Sequence, residues 1–232
     1  GVDQAVWRSL NEDKESALVP YQITAADLKG PFVQVPADMM GKARLKYLGY
    51  ATPLEGLAEK FHIAPPLLQR LNPGKGLKTV GEKLIVPNVR STFEASVAKV
   101  VVSKAAKTVT ALDAMGNVVA QYPSSSGSDH DPLPLGEWKI TGIAKNPTFH
   151  YNPDLFWDAK AEQTKETIPA GPRNPVGLVW IDLSKEHYGI HGTPTPALIG
   201  YAQSHGCIRL TNWDAVELAG LVKAGIPASL VE

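Results

Sequence analysis

The chain has 232 residues, with 23 Lys and Arg balancing 23 Asp and Glu, a length that suggests two domains or one large β-rich domain. At 44% hydrophobic and 20% charged residues it is an ordinary globular chain, and zero net charge gives no electrostatic reason to expect nucleic acid or an anionic membrane as partner. A single cysteine, Cys207, excludes an intramolecular disulfide and a thiolate metal cluster, leaving an inert packed thiol or a reactive one.

No stretch reads as a transmembrane helix. Residues 187–208 run 22 positions without Asp, Glu, Lys or Arg, but they hold three His, four Gly and two Pro. Residues 1–11 have no apolar core of the signal-peptide kind, so no export signal is expected within this chain.

The first 45 residues carry little pattern: 6–18 suits a helix, 23–35 an irregular or extended run, and no chemistry is assigned to them. Residues 46–90 form a separate small unit. Thr52-Pro53-Leu54-Glu55 supplies a capping hydroxyl, a proline at the first helical position and a glutamate that can reach back to the cap. Leu54, Leu57, Ala58 and Phe61 then share one helical face. Pro65-Pro66 opens a second short helix with Leu67, Leu68 and Leu71, which Asn72-Pro73-Gly74 stops, and Leu84-Ile85-Val86 reads as a strand.

From residue 97 the pattern turns to β. Strands are expected over 97–103, 108–113, 118–122, 137–143, 177–183 and 188–191. Eight prolines between Pro123 and Pro175 predict turns and short strands there, with loops over 124–127 and 146–175. One helix is expected over 213–224, capped by Thr211 and Asp214, burying Ala215, Leu218, Ala219 and Val222, and ended by Gly225 and Pro227.

Ser204-His205-Gly206-Cys207-Ile208-Arg209, preceded by His191-Gly192-Thr193, gathers what a cysteine nucleophile needs. Those needs are a base or cation for the thiolate, backbone N–H groups for an oxyanion, and room for a carbonyl. In an extended backbone His205 and Cys207 share a face, so spacing leaves either His205 or a spatially returning His191 as the base. Gly206 lets the backbone approach a substrate closely.

Two resemblances follow from these residues. The two short helices and the closing Val80-Gly81-Glu82-Lys83-Leu84 resemble a LysM peptidoglycan-binding module, although Ala51-Thr52-Pro53-Leu54 departs from that family's opening turn. His191-Gly192, followed 13 positions later by Ser204-His205-Gly206-Cys207-Ile208-Arg209, resembles the signature of the YkuD-type L,D-transpeptidase catalytic domain. Pro134-x-Gly136-x-Trp138 and Gly171-Pro172-x-Asn174-Pro175-x-Gly177 belong to the same resemblance, which spans 97–232.

The resemblance implies an α+β chain: a β-sandwich catalytic domain with one C-terminal helix, plus a small βααβ LysM-like domain. It implies Cys207 as nucleophile, His191 as base, and the Gly192 carbonyl in the place of a third triad member. His205, Gly206 and Cys207 then line the oxyanion hole, while Arg209 holds a stem-peptide carboxylate and Ser204 and Gly206 line the substrate site. The implied reaction is attack on the diaminopimelate carbonyl of a peptidoglycan tetrapeptide stem, release of D-Ala, and transfer to an amine or water. The amine is a second stem (a 3→3 cross-link) or a lysine of an envelope lipoprotein. No cofactor is implied, the partners are peptidoglycan stem peptides and glycan, and the implied location is the periplasm or cell envelope.

Plainer readings stand beside these. His62, His130, His150 and His187 read as surface or packing histidines; Trp138, Trp157, Trp180 and Trp213 as core or rim aromatics; the serines at 124–126 as a loop; Arg209 as a structural ion-pair partner. Two rival functions are a zinc peptidase using His187, His191 and His205, and a non-catalytic wall-binding protein. Glycines and Pro194 break any helix that would place His187 and His191 one turn apart.

Overall fold

In the computed structural model of the chain, which describes residues 14–89, 94–201 and 206–232 with Gln4, Trp7, Arg8 and Glu12 ahead of them, the first strand lies far upstream of its partner. β1 (Leu18–Gln22) pairs antiparallel with β2 (Lys83–Pro87), setting Val19 opposite Val86 and Tyr21 opposite Leu84. Between them lie α1 (Met39–Ala43), α2 (Pro53–Lys60) and α3 (Pro65–Leu71). The small sheet therefore recruits Leu18, expected to be the last residue of a helix over 6–18, together with residues 19–22, which lay between that helix and the irregular run from 23. Of the helix expected over 6–18, Trp7, Arg8 and Glu12 are helical and the remainder up to residue 13 lies outside the described residues; the chain is no longer helical at Lys14.

Local chemistry explains the small domain. Thr52 Oγ1 accepts the Glu55 N–H at 3.2 Å, with Pro53 opening α2. The Glu55 carboxylate reaches one residue beyond a capping box and accepts the Ala51 N–H at 2.6 Å. Asn72, buried, welds the end of α3 to β2: its Nδ2 donates to the Leu68 and Ile85 carbonyls and its Oδ1 accepts the Ile85 N–H at 2.7 Å. Leu57, Leu68, Leu84 and Val86 fill the core between helices and sheet.

The large domain contributes β3 (Lys99–Ser103), β4 (Thr108–Leu112), β5 (Val118–Pro123), β6 (Ser125–Ser126), β7 (Gly136–Lys145), β8 (Phe149–Tyr151), β9 (Glu166–Ile168), β10 (Val179–Leu183), β11 (Gly189–His191), β12 (Ile208–Arg209), α4 (Asn212–Leu221) and β13 (Pro227–Val231). Among the described residues nine strands form one sandwich-like sheet in the order β5, β4, β3, β13, β7, β10, β11, β12, β6, while β8 and β9 make a separate hairpin. β7 is the seam. Its residues 136–139 pair with β13 and residues 140–145 with β10. On the inner face Ala215, Leu218, Ala219 and Val222 of the helical segment pack with Ile181, Ile190 and Ile208.

Three expectations are corrected. β13 was legible only as a helix stop at Pro227, yet it lies inside the sheet, parallel to β3, because the ring occupies the first strand position and leaves Ala228 and Leu230 to bury. α4 ends at Leu221, since Val222 turns extended (φ −110°, ψ 163°) to keep its side chain inside. The serine run is not merely a loop: Ser125 and Ser126 pair with Arg209 and Ile208, and Ser125 Oγ accepts the Gly200 N–H at 2.9 Å. No helix among the described residues is long and apolar enough to cross a membrane.

Residues 31–49 cross to the large domain. Leu48, fully buried, packs with Tyr151 and Ile168 at the base of the β8–β9 hairpin. Gly171 (φ +137°) gives it room, because a Cβ there would overlap the Leu48 backbone. Among the described residues, contacts that join the domains include Arg173 Nη1 to the Glu55 carboxylate at 2.9 and 3.1 Å and the His62 ring stacked on Trp213 at 5.3 Å.

Burial pushes the Glu59 carboxyl up to about 7 against the opposing Asn212 amide, with the charges of Glu55 and Asp214 adding to the rise. A raised carboxyl favours the protonated folded state, so its contribution to stability is full below the unfolded value and is lost as pH rises through about 7. Glu59→Gln, neutral throughout, is expected to be more stable than the parent at about pH 8, by up to about 3 kcal/mol, and equal to it at about pH 4. Urea unfolding at both pH values measures this, and a gap independent of pH would contradict it.

Candidate active site

The site is built by strand alternation. β10 pairs antiparallel with β11, placing Trp180 opposite His191, and β11 runs parallel to β12, placing Ile190 beside Ile208 and His191 beside Arg209. Ile190 and Ile208, both fully buried, point into the core. With a period of two, His191 and Arg209 face the other way, and Cys207, two positions before Arg209, shares their side. All three line one cavity of about 950 Å³ together with Trp180, Tyr188 and Phe149.

His191 is held in one tautomer. Its Nδ1 lies 2.7 Å from the Gly192 carbonyl, and a carbonyl can only accept, so Nδ1 carries the proton and Nε2 presents its lone pair. Trp180 stacks on the ring at 5.3 Å and 16°. Burial and the nearby Arg209 charge push the imidazole down to about 3, against the Gly192 bond, so the ring is neutral near pH 7. Burial also pushes the Cys207 thiol up, opposed by the Gly189 backbone N–H and by Arg209. The thiol points to the His187 carbonyl oxygen at 3.6 Å. Thiol and imidazole thus both rest neutral near a half-buried guanidinium, whose own proton affinity burial lowers while Cys207 and Asp158 support its charge.

Close packing behind the cavity sets where Gly192 sits. Asn212, 1% exposed, accepts the Leu178 N–H on Oδ1 at 3.1 Å and donates from Nδ2 to the Pro172 carbonyl at 3.1 Å. Its Oδ1 lies so near Gly177 and Gly192 that a Cβ on either would overlap it. Asn174, fully buried, donates to the Pro169 carbonyl at 2.7 Å and accepts the Val176 N–H at 2.9 Å. The glycines and asparagine of 171–177 are therefore seats for Leu48 and Asn212. In Pro134-x-Gly136-x-Trp138 the indole N–H donates to the Pro134 carbonyl at 2.8 Å. Gly206 (φ +90°) serves Tyr188, whose ring would lie 2.6 Å from a Cβ there.

The structure brings together Cys207, His191, Gly192, Gly206 and Arg209; Ser204 and His205 lie outside the described residues. Three residues at the cavity were not singled out by the sequence as part of a site, and a fourth, His187, entered only as a ligand in the rival zinc reading. His187 and His150, read as surface or packing groups, line the cavity; Trp180, read as core, stacks on His191; Tyr188 covers Gly206. His62 and His130 instead stack on Trp213 and Trp157. Asn212 was also missed, because an asparagine one position after a helix cap carries no signal of what it touches across the fold. His191 lies on a strand, so the spacing from His187 is not a helical turn, and among the described residues no three His, Cys, Asp or Glu converge to hold a metal.

The L,D-transpeptidase catalytic domain of the YkuD family matches residues 98–229. A Bacillus subtilis protein named "Putative L,D-transpeptidase YkuD" is 34% identical over 174 residues, 74% of this chain and 89% of its own length. An Escherichia coli protein named "Probable L,D-transpeptidase YbiS" is 26% identical over 231 residues, covering 93% of this chain and 72% of its own. Among solved structures an L,D-transpeptidase from Mycobacterium smegmatis superimposes with a TM-score of 0.46 at 23% identity, over 66% of this chain and 64% of that one.

Because burial outweighs the Arg209 cation at the thiol, alkylation of Cys207 by iodoacetamide is expected to titrate above the ordinary thiol range. Arg209→Gln removes a charge that favours thiolate, so its midpoint is expected to move higher still, and the His191 imidazole to become more basic. Alkylation rates against pH measure the first shift, and a lower midpoint in the variant would count against this electrostatic account.

Proposed function

The chain belongs to the L,D-transpeptidase family, and from that premise we propose that Cys207 is the nucleophile and His191 the general base of a two-step acyl transfer on peptidoglycan stem peptides. The observation that carries this reading is the 2.7 Å bond from His191 Nδ1 to the Gly192 carbonyl, which leaves Nε2 free as a base on the side of the strands that carries Cys207. Gly192 acts through its backbone oxygen as the acid of a triad does in other enzymes.

With both groups neutral at rest, the proton leaves sulfur as sulfur attacks. Nε2 accepts it while Sγ bonds to the diaminopimelate carbonyl carbon of a tetrapeptide stem, and the oxyanion is received by backbone N–H groups of His205, Gly206 and Cys207. Collapse breaks the peptide bond, and the imidazolium returns the proton to the departing D-Ala amine, leaving a thioester. An acceptor amine then attacks, Nε2 removes its proton, and the sulfur leaves and is reprotonated. The amine of a second stem gives a 3→3 cross-link, a lipoprotein lysine gives an anchored protein, and water gives L,D-carboxypeptidase activity. Arg209 receives a stem-peptide carboxylate, and Ser204 and Gly206 line the same subsite.

Residues 146–175 act as a lid. Phe149, Tyr151 and Phe156 from this segment form an aromatic wall of the cavity, and an apolar cover disfavours water over a longer acceptor. The small domain is read as a LysM-like glycan-binding module, a reading supported by its strand, two-helix, strand core and antiparallel closure. A peptidoglycan substrate and a glycan-binding module support a location in the periplasm or cell envelope.

Incubation with defined tetrapeptide muropeptides, followed by mass spectrometry, tests the reading. Cys207 is expected to gain an acyl mass lacking D-Ala, and a carbapenem is expected to acylate the same residue. His191→Ala is expected to slow turnover by roughly 10²–10⁴-fold. Product formation by Cys207→Ala, or turnover that depends on stoichiometric zinc, would overturn the mechanism.

A further inference from the structure

We infer that the cavity between the two domains binds the side-chain ammonium of a lysine, with the Glu59 carboxylate as counter-charge. The cavity shares no lining residue with the one that holds Cys207, so the inference stands apart from the reaction proposed there.

The side of α2 that meets the large domain carries three polar groups, and the middle one is unmet. Glu55 and Glu59 stand one helical turn apart, and His62 follows just past the helix end. Glu55 pairs with Arg173 at 2.9 and 3.1 Å, and His62 stacks on Trp213 at 5.3 Å. Between them the Oε1 of Glu59 is buried without a hydrogen-bond partner. A cavity of about 550 Å³ opens here, lined by Tyr50, Leu54 and Glu59 from the small domain and by Pro172, Leu198 and Trp213 from the large one. Buried carboxyl oxygens are ordinarily hydrogen-bonded, and this one stands beside a space that admits a donor from outside the chain.

The rest of the lining selects the donor. Pro65, Pro172, Pro194 and Pro196 have no N–H, and the N–H groups of Thr195 and Leu198 are engaged by the Thr193 hydroxyl and the Thr195 carbonyl. The Asn212 amide is committed to Leu178 and Pro172, and the Glu55 carboxylate to Arg173 and Ala51. Helices α2 and α4 begin at this cavity, but their first turns already carry Glu55 and Asp214 with the caps Thr52 and Thr211. Among the described residues no Lys, Arg or His lines the cavity, so an anion finds no counter-charge. The many hydroxyls of a sugar would face proline and leucine. A lysine side chain matches on both counts: its methylenes suit the apolar walls, and its ammonium only donates. Tyr50 and Trp213 add ring faces that favour a cation, and the Tyr50 ring lies against Gly56, one turn before Glu59. The amine of diaminopimelate is refused, because the carboxylate beside it would meet Glu55 and Glu59.

Burial raises the Glu59 carboxyl to about 7, so a cation that needs its charge binds more tightly as pH rises through that value. The charges of Glu55 and Asp214 attract the same cation, while burial keeps Tyr50 protonated and His62 neutral.

The experiment titrates the full chain with Nα-acetyl-lysine amide, with the norleucine analogue that lacks the ammonium, and with meso-diaminopimelate, following the Trp213 indole resonance in ¹H–¹⁵N spectra. The lysine probe is expected to bind roughly tenfold more tightly than either of the others at about pH 8, and roughly tenfold more tightly than it does itself at about pH 6. Glu59→Gln, which keeps the shape of the side chain, is expected to weaken the lysine probe roughly tenfold and to flatten its pH response. Prior alkylation of Cys207 is expected to change nothing, which separates this site from the catalytic cavity. No shift of the Trp213 resonance, equal binding of the norleucine analogue or of diaminopimelate, parent-like affinity in Glu59→Gln, an affinity that does not change with pH, or loss of binding on alkylation would each overturn the inference.

Discussion

One hydrogen bond between neighbouring residues, from His191 Nδ1 to the Gly192 carbonyl, sets the polarity of the site. Without it the buried imidazole has no fixed tautomer, and the lone pair could turn inward. A backbone carbonyl can replace a carboxylate in this role only if the peptide that carries it cannot rotate. Most of the unusual packing nearby serves that end: Gly177 and Gly192 give up side chains to admit Asn212, and Asn212 spends its amide on Leu178 and Pro172. Burial, with the Arg209 charge, outweighs the support that the Gly192 carbonyl gives the imidazolium and holds the ring near 3.

The electrostatics of the cavity follow from the same choice. Arg209 acts on the thiol and the imidazole in opposite directions, favouring thiolate and disfavouring imidazolium. Burial overrides the first effect and reinforces the second, so the pair rests uncharged. On the proposed mechanism a thiol poised in this way depends on its base at the moment of attack, which makes the orientation of the ring more consequential than the standing acidity of the sulfur.

Acids also meet at the domain interface. Burial raises both Glu59 and Asp214, the latter to about 6, while Arg173 offsets Glu55. Residues 31–49 strengthen the union from another direction, since Leu48 sits on Gly171 beneath the β8–β9 hairpin and Met39 reaches the catalytic cavity.

Sequence alone determined the chemistry-bearing residues and most of the local elements. Capping at Thr52 and Thr211, the buried face of Ala215, Leu218 and Ala219, and the alternation of β3, β4 and β10 are short-range properties that a reader of neighbouring residues can recover. His191, Gly206, Cys207 and Arg209 were visible as residue types gathered in two short motifs and through the resemblance those motifs carry. Tertiary structure decided the rest. β1 finds its partner more than sixty residues away, β13 enters beside β3 from the chain end, and Asn212 meets Gly192 across the fold. None of these pairings leaves a mark in local composition, because each depends on which distant backbone comes to lie against it. Identity of the reacting groups is a property of residue type, whereas their orientation is a property of what packs behind them.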